Sequence, residues 1–502
     1  MIILVLATAV RLVGFNSPFT SQHWIKQLQI APIAKNFALK SPNILWPETD
    51  YSADKPGYIE IEFQLVTWLT SFGYRVFGIH EWVARLVTVT FSVGSMVLFY
   101  RLALMQLGPV AAAYGLFVFA FLPTNWYFSR VLMSEPAMLF FSIAVIYAFS
   151  LWLESGKRKH LVWTAVCGAL CFLVKLPTVV LFIPLGYLAW CKYKRDVLRQ
   201  KQLWALAAIM LVPALAYYLH AYLNIGRHYF TVGVGFGGGM WFSPADFLKP
   251  GNYSLMMDRL VRQHLTAVGV VLLILGLTAL AEGRVRITLF HIWLAGIAVY
   301  FVVVSGGNLR QNYYQLPMIP PAAALIALGW EQLAQSRRFS RRLDPLLAVV
   351  FLGLCVWGVE PMYQPYKPIH QAATELNLLD PSHRERVVLF PAGYGCLYYF
   401  DRPGWVGREG FGKAPNEVAP GDVPGPDYIR DRIRRGAHWA VYFDIKDATA
   451  QPQIQAYLRQ EYLCVSDMPD YQIFDLTRRP DRGVSKPPAS AEPPAPKAFE
   501  WR

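Results

Sequence analysis

The residues of this chain that could do chemistry sit at the margins of its apolar runs. Glu60 and Glu62 alternate with Ile59, Ile61 and Phe63. In extended backbone the two carboxylates project to one side, whereas on a helix they stand about 200° apart. Paired carboxylates at a membrane surface can bind a divalent cation or take a proton from an attacking hydroxyl; a solvated strand edge is the plain alternative. His23, the segment Lys26-Gln27-Leu28-Gln29 and Asp50 belong to the same polar stretch, residues 16–81. Ser134-Glu135-Pro136 reads as a helix start, with a capping serine, an acid near the positive end of the dipole and a proline in the first turn. Lys175 closes an apolar run just before Pro177, and Arg310 opens Arg310-Gln311-Asn312-Tyr313-Tyr314-Gln315-Leu316-Pro317. Cations at such boundaries suit a lipid phosphate, although they also reach from a helix end to water with no ligand at all. Together these residues point to a site at the outer leaflet that handles an anionic lipid.

Membrane helices must position them. Of 502 residues, 55% are hydrophobic and 16% charged, with a mean hydropathy of +0.30; soluble domains carry about 25% charged residues. The expectation is a polytopic α-helical membrane protein with a small C-terminal α/β domain. Residues 1–14 are too short for a span of ~20 residues and lack the basic start and small-residue cleavage site of a signal peptide, so they read as a first helix that has lost its beginning. Further spans fall at 83–103, 109–128, 133–153, 161–175, 178–190, 203–222, 266–281, 288–304, 316–330 and 345–360, for about eleven transmembrane helices in all, several short or tilted. The formal charge of +14 lies in clumps between apolar runs, at 156–159, 192–201, 284/286 and 337–342. Positive-inside topology accounts for that pattern and nucleic-acid binding does not. With the amino terminus inside, residues 16–81, 129–135, 223–264, 305–315 and everything after 361 face outward.

The outer segment 223–264 holds the run Gly233-Val234-Gly235-Phe236-Gly237-Gly238-Gly239. No Lys-Ser/Thr follows it and no strand precedes it, so it reads as a flexible lid or plain loop rather than a phosphate cradle. Cys167 and Cys171 share one face of an apolar helix and read as packing, while Cys396 and Cys464 could pair in an extracytoplasmic domain. From residue 363 the composition turns polar. Val387-Val388-Leu389-Phe390, Trp439-Ala440-Val441-Tyr442-Phe443 and Tyr471-Gln472-Ile473-Phe474-Asp475 are strand-like, and 453–461 has helical spacing. The soluble domain is expected over 363–477, after a membrane domain over 1–362, with a disordered Pro/Ala-rich tail over 478–502.

The ordered set of motifs resembles the protein-mannosyltransferase-like group of the GT-C glycosyltransferases, which takes in the aminoarabinose transferases that modify lipid A. Members carry a first loop like His-Gln-Trp-Arg-Gln-x-Asp-Thr-Ala-Ala-Ile-Ala-Arg-Asn-Phe. This chain matches it at His23, Gln27, Ala31, Ile33, Ala34, Asn36 and Phe37, with Lys26 and Lys35 for the arginines. Gly57-x-x-Glu60-x-Glu62-Phe63, Phe77-Gly78-x-His80-Glu81-Trp82-x-x-Arg85-Leu86, Ser129-Arg130 through Glu135-Pro136, Tyr313-Tyr314-Gln315-Leu316-Pro317 and Tyr398-Tyr399-x-x-Arg402-x-Gly404-Trp405 look like the later signatures. The resemblance covers nearly the whole chain, and its specificity lies in combination and order. Two positions depart from it. Gln29 stands where the family has its first-loop Asp, and an amide cannot accept a proton at neutral pH. Gln311-Asn312 stands where relatives often have His before the Tyr-Tyr pair.

The resemblance implies an inner-membrane enzyme of bacterial type that moves a sugar from a polyprenyl-phosphate carrier to a glycan, lipid or protein acceptor hydroxyl, with inversion, at the outer face. Lys175, Arg310 and Lys26 would stabilise the leaving phosphate, with His23, Tyr313 and Tyr314 also binding substrate. Glu60 or Glu62, before Asp50, would take over the proton-accepting role lost at Gln29. Glu135 would support a divalent cation (Mg or Mn, shared with Glu60 or Glu62) or orient the phosphate. The 223–264 segment could close over the site. A second reading is a relative that binds the lipid-linked sugar or a partner without turnover, as Gln29 suggests. A transporter fits less well, since the charges sit at helix ends rather than at the bilayer midplane.

Overall fold

The computed structural model describes residues 1–51, 53–54, 56–231, 240–281, 287–336, 343–391, 396–407, 425–444 and 451–480. The glycine run at 233–239, the basic clusters at 284/286 and 337–342, and all but the first residues of the expected tail lie outside them.

The membrane part opens with α1 (Ile2–Arg11), α2 (Trp24–Leu39), the two-residue strand β1 (Ile59–Glu60), α3 (Leu65–Phe77) and α4 (Glu81–Leu107). Then come α5 (Pro109–Phe121), α6 (Pro123–Phe128), α7 (Glu135–Ser155), α8 (Arg158–Val174), α9 (Phe182–Tyr193) and α10 (Lys201–His220). Strand β2 (Phe230–Thr231), α11 (Pro250–Asp258), α12 (Ala267–Ala281), α13 (Leu289–Val303), α14 (Ser305–Arg310), α15 (Ile319–Gln335) and α16 (Leu343–Val359) complete it. Helices occupy each of the expected span positions. Among the described residues, five are long and apolar enough to cross a membrane, or six if the pair Pro250–His264 and Ala267–Thr278, bent by 101°, is one broken span. The expected span at 109–128 is interrupted. Leu122 is extended ahead of Pro123, because a proline disfavours helical backbone in the residue before it.

Helix α7 packs between α4 and α8, and α15 packs against α5 and α12. Gly276 on α12 and Gly329 on α15 make that second contact possible: a Cβ at Gly276 would lie 3.3 Å from the Gly329 nitrogen and would collide with the Leu325 carbonyl. Small residues allow such backbone approach where helices meet in a membrane. At the end of α4, Gly108 adopts φ +92, a conformation open to glycine, and reverses the chain into α5.

The segment 223–264 is built rather than plain. Its described residues include β2, which pairs in parallel with β1 (Ile59 with Phe230, Glu60 with Thr231), and α11.

The C-terminal part adds α17 (Pro368–Leu379), β3 (Arg386–Phe390), β4 (Gly404–Val406), α18 (Pro426–Arg434), β5 (Ala437–Phe443), α19 (Pro452–Glu461), β6 (Leu463–Asp467) and β7 (Tyr471–Asp475). The five strands form one mixed sheet in the order β4-β3-β5-β7-β6. β3 runs parallel to β4 and β5, and β7 antiparallel to β5 and β6. Alternation along the strands divides its faces. Val387, Leu389, Val441, Phe443 and Ile473 join the same core as the membrane helices, while Val388, Phe390, Ala440, Tyr442 and Phe474 pack with Ile429, Ile454 and Leu458. The sheet is therefore seated on the membrane part. No disulfide joins Cys396 and Cys464; Cys464 Sγ donates to the Ser466 carbonyl at 3.1 Å. Cys167 and Cys171 lie buried on α8 as packing residues.

Candidate active site

Three buried arginines fix the approach to the site. Arg11 donates to Ser92 Oγ at 3.0 Å and to the Ala7 and Ala120 carbonyls. Arg85 donates to the Phe15 carbonyl at 2.7 Å, and Arg130 to that of Gly14. Residues 14–18 are thus pinned over α4, and they deliver the chain to His23. His23 caps α2 with a left-handed backbone (φ 59), an uncommon conformation for a residue with a Cβ. Its Nε2 lies 2.6 Å from Asn312 Oδ1, and Asn312 Nδ2 donates to Gln263 Oε1 at 2.7 Å. That second bond sets the amide's orientation, so His23 Nε2 carries the proton it donates. The imidazole meets Tyr313 edge-on at 5.1 Å.

Lys26, one turn along α2, lies 3.0 Å from Glu62 Oε1. Glu135 at the start of α7 and Lys175 just after α8 face each other across adjacent antiparallel helices, and Lys175 Nζ donates to Glu135 Oε1. The same ammonium sits 5.1 Å from the ring centres of both Tyr313 and Tyr314, a cation–π arrangement. Arg310, at the end of α14, acts electrostatically on Tyr314, as do Lys175, Glu62 and Glu135. His23, Lys26, Glu62, Glu135, Lys175, Arg310, Tyr313 and Tyr314 thus form one cluster from five separate stretches of sequence.

Burial alone would raise the Glu62 carboxyl, but Lys26 and then Lys175 overcome it and hold the group below the ordinary glutamate value. Burial lowers His23 below the usual histidine range, against the hydrogen bond it donates to Asn312. At neutral pH the site therefore holds an ionised Glu62 and a neutral His23. A narrow apolar cleft runs to this cluster, walled by Met138, Pro177, Leu181, Trp293, Ile297 and Pro317, with Lys175, Tyr313 and Tyr314 at its polar end.

Other expected residues are placed elsewhere. Glu60 is buried, but its carboxylate accepts from Thr231 Oγ1 and packs against Gly226, where a Cβ would come within 2.7 Å of Oε2. Asp50 accepts from Asn36 Nδ2 at 3.1 Å. Gln29 is buried, and among the described residues its Nε2 has no hydrogen-bond partner. Ser134 does not cap α7; its hydroxyl reaches Glu135 Oε2 at 3.5 Å. Among the described residues no three His, Cys, Asp or Glu side chains group as metal ligands. Glu60, Glu62 and Glu135 each engage a different partner: Thr231, Lys26 and Lys175. Asn312 was legible only as a lost titratable group; its role as the hydrogen-bond partner of His23 depends on a contact across 289 positions. The cleft had no signal in the sequence, because its walls come from four helices.

A sequence profile described as dolichyl-phosphate-mannose-protein mannosyltransferase matches residues 64–220. An uncharacterized protein of Aquifex aeolicus (strain VF5) is 30% identical over 187 residues, which is 36% of this chain and 41% of that protein's length. The crystal structure of ArnT from Cupriavidus metallidurans in the apo state superposes with a TM-score of 0.68 at 14% identity, covering 96% of this chain and 98% of that one. ArnT bound to undecaprenyl phosphate gives 0.64 at 14% identity, covering 96% and 99%. Over almost its whole length, this multi-pass membrane chain shares the fold of ArnT.

Proposed function

We propose that the chain is an inverting glycosyltransferase that uses a polyprenyl-phosphate-linked sugar at the outer face of a bacterial-type inner membrane. One observation carries this reading: Lys175, at the polar end of an apolar cleft, clusters with the buried carboxylates Glu62 and Glu135 and with Lys26 and Arg310. The cleft's apolar lining suits a polyprenyl chain once it widens from its present volume of about 10 Å³, and the lipid's phosphate suits the cations. The likeness to ArnT, solved with undecaprenyl phosphate, supports the same reading.

The acceptor hydroxyl attacks the anomeric carbon as the bond to the phosphate oxygen breaks, and the phosphate leaves with the electron pair. Lys175, Arg310 and Lys26 stabilise that charge. Glu62 takes the acceptor proton. Free Glu62 is a weak base because Lys26 and Lys175 hold its pKa down. An arriving phosphate competes for those ammonium groups, so the carboxylate becomes more basic once the donor is bound. His23 and Tyr313 wall the sugar's position.

The proposed topology has about eleven spans, with the C-terminal sheet and the large loops extracytoplasmic. The α7–α8 hairpin supports it. Its basic turn, Lys157-Arg158-Lys159, lies at the opposite end from Glu135 and Lys175, and 21 residues of α7 reach about 30 Å at 1.5 Å per residue, the thickness of a bilayer core.

Gln29 favours a second reading, in which the protein binds the lipid-linked sugar or a partner enzyme without turning it over. Purified protein in lipid, given a set of polyprenyl-phosphate sugars and scored by release of polyprenyl phosphate, separates the two. Turnover that is lost with Glu62→Gln supports the enzyme. Lipid binding without turnover, with activity appearing in Gln29→Asp, supports the binding protein.

A further inference from the structure

A second pocket lies beyond the cation cluster, on the far side of the first outer loop. It is an open cavity of about 320 Å³, lined by Asn36, Asn43, Trp46, Glu48, Tyr58 and Tyr229. Trp46, Tyr58 and Tyr229 meet at 66° to 88° with ring centres 5.1 to 6.4 Å apart, so they wall a corner instead of stacking into a slab. The walls are built in. Thr49 N donates to the Gly57 carbonyl at 2.8 Å, Ile59 N to that of Pro47 at 3.0 Å, and Asn36 Nδ2 to that of Glu48 at 2.9 Å. The His220 ring, at the end of α10, packs edge-on against Trp46 at 5.6 Å.

The polar atoms are only partly engaged. Glu48 Oε1 accepts from Lys40 at 2.6 Å, and Asn43 Oδ1 accepts from Leu45 N at 3.1 Å. Among the described residues nothing bonds to Glu48 Oε2, Asn43 Nδ2, Asn36 Oδ1 or the hydroxyls of Tyr58 and Tyr229. Aromatic walls beside open amide, carboxylate and phenol groups suit a ligand with apolar C–H faces and a rim of hydroxyls. The carboxylate in the lining, and the placement of Lys26, Lys175 and Arg310 in the other cluster, argue against an anion here. We propose that this pocket binds a neutral or amino saccharide and serves as the acceptor subsite; the acceptor role rests on the transferase reading above. Tyr58 and Glu62 share one segment, four residues apart, so their Cα atoms lie at most about 13 Å apart at 3.3 Å per residue. A short oligosaccharide can bridge that distance.

The test is saturation-transfer NMR on the full-length protein in lipid nanodiscs. The probes are chitobiose, mannobiose, a glucosamine disaccharide and the acidic trisaccharide sialyllactose, and undecaprenyl phosphate binding is measured in parallel. The expected result is saturation transfer to at least one neutral or amino saccharide, weakened about tenfold or more by Trp46→Ala and Tyr229→Ala, reduced by Glu48→Gln and unchanged by Tyr253→Ala. Undecaprenyl phosphate should bind equally to all of these variants. Binding of none of the neutral and amino saccharides, binding of sialyllactose alone, or saccharide binding indifferent to Trp46, Tyr229 and Glu48 overturns the proposal. Because the lipid is measured separately, an unmodified protein that binds undecaprenyl phosphate and none of the neutral or amino saccharides refutes the pocket and leaves the donor reading standing. Should Trp46→Ala fail to fold, Glu48→Gln with Asn43→Ala gives the same comparison from the exposed rim.

Discussion

Lys26 Nζ lies 3.0 Å from Glu62 Oε1, and that contact joins the outer helix α2 to the extended segment 36 positions later. It puts a cation and a carboxylate at the place where donor phosphate and acceptor hydroxyl would meet. Glu60, two residues away, is committed to Thr231 instead. We therefore expect Glu62→Gln to lower turnover about 10²–10⁴-fold, the usual contribution of a general base, and Glu60→Gln to lower it far less. The assay is release of polyprenyl phosphate by each variant at matched folding.

The pH dependence should identify the same group. Lys26 and Lys175 hold Glu62 below its ordinary value of 4.5, so in the free enzyme it remains the ionised base as pH falls to that value. The acid limb of kcat/KM should lie below pH 4.5 and stay there in Asn312→Asp. A carboxylate at 312 would raise the pKa of His23, which burial now holds below 6.5. A limb that lies near 6 and moves upward in Asn312→Asp would assign the proton to His23. Linkage gives the stability counterpart. A carboxyl with a depressed folded pKa contributes stability above its unfolded value, and that contribution is lost as pH falls through the folded value. Glu62→Gln should flatten the loss of thermal stability below pH 4.5.

The Glu135–Lys175 pair yields a coupling prediction. Glu135 is 1% exposed and Lys175 11%. Removing one partner of a buried ion pair strands the other and costs about 3–5 kcal/mol, whereas replacing both is far milder. Lys175→Met and Glu135→Gln should each lower the unfolding midpoint more than the double variant does. Lys175→Met should also weaken undecaprenyl phosphate binding. A double variant that loses the sum of the two singles would show that the groups act independently.

How much of this was readable in the chain depends on the range of the interaction involved. Glu135, Lys175 and Arg310 stood out because ionisable groups at the ends of apolar runs are costly and few, and the fold does bring them together. The parting of Glu60 from Glu62 was not readable. Both were expected on one side, but β1 meets β2 across a separation of 171 residues, and no local pattern announces that pairing. Strands β3, β5 and β7 carried alternating or β-branched runs and were legible, while β4 is three residues long and too short to show a period. Arg85 and Arg130 were legible as members of motifs, but what they and Arg11 bond to was not. Their use as donors to the backbone carbonyls of residues 7–18 and 120 appears only when the loop is folded over α4.

The seat of the sheet on the membrane part can be tested at Tyr399. Its hydroxyl accepts from Phe19 N at 2.6 Å and donates to Glu81 Oε1 at 3.0 Å, bridging the C-terminal part to the first outer loop and to the start of α4. Tyr399→Phe leaves a buried N–H and a buried carboxylate unpaired, at about 1–3 kcal/mol for each group. Arg402 differs, since its bonds to Asp380, Asn377 and Phe400 all stay within the C-terminal part. Hydrogen exchange should quicken around residues 15–22 in Tyr399→Phe, and around α17 and β3 in Arg402→Ala. Matching profiles for the two variants would mean that the sheet and the first loop unfold as one unit.

Gln29 gives a rescue experiment. It lies three residues after Lys26 on α2, so the two side chains are neighbours on one face of the helix, and Lys26 already pairs with Glu62 from the other side. If Glu62 has replaced a carboxylate once held at position 29, either position should be able to serve the same reacting group through the same lysine. Gln29→Asp introduced into Glu62→Gln should then recover at least about tenfold of the lost turnover, or about 1.4 kcal/mol of barrier. In the unmodified background it should add little, because two buried carboxylates would compete for one ammonium and their repulsion opposes ionisation of both. Absence of rescue in a double variant that folds and binds undecaprenyl phosphate would show that residue 29 does not reach the acceptor. In that case the base function at Glu62 is not a relocated version of one at position 29.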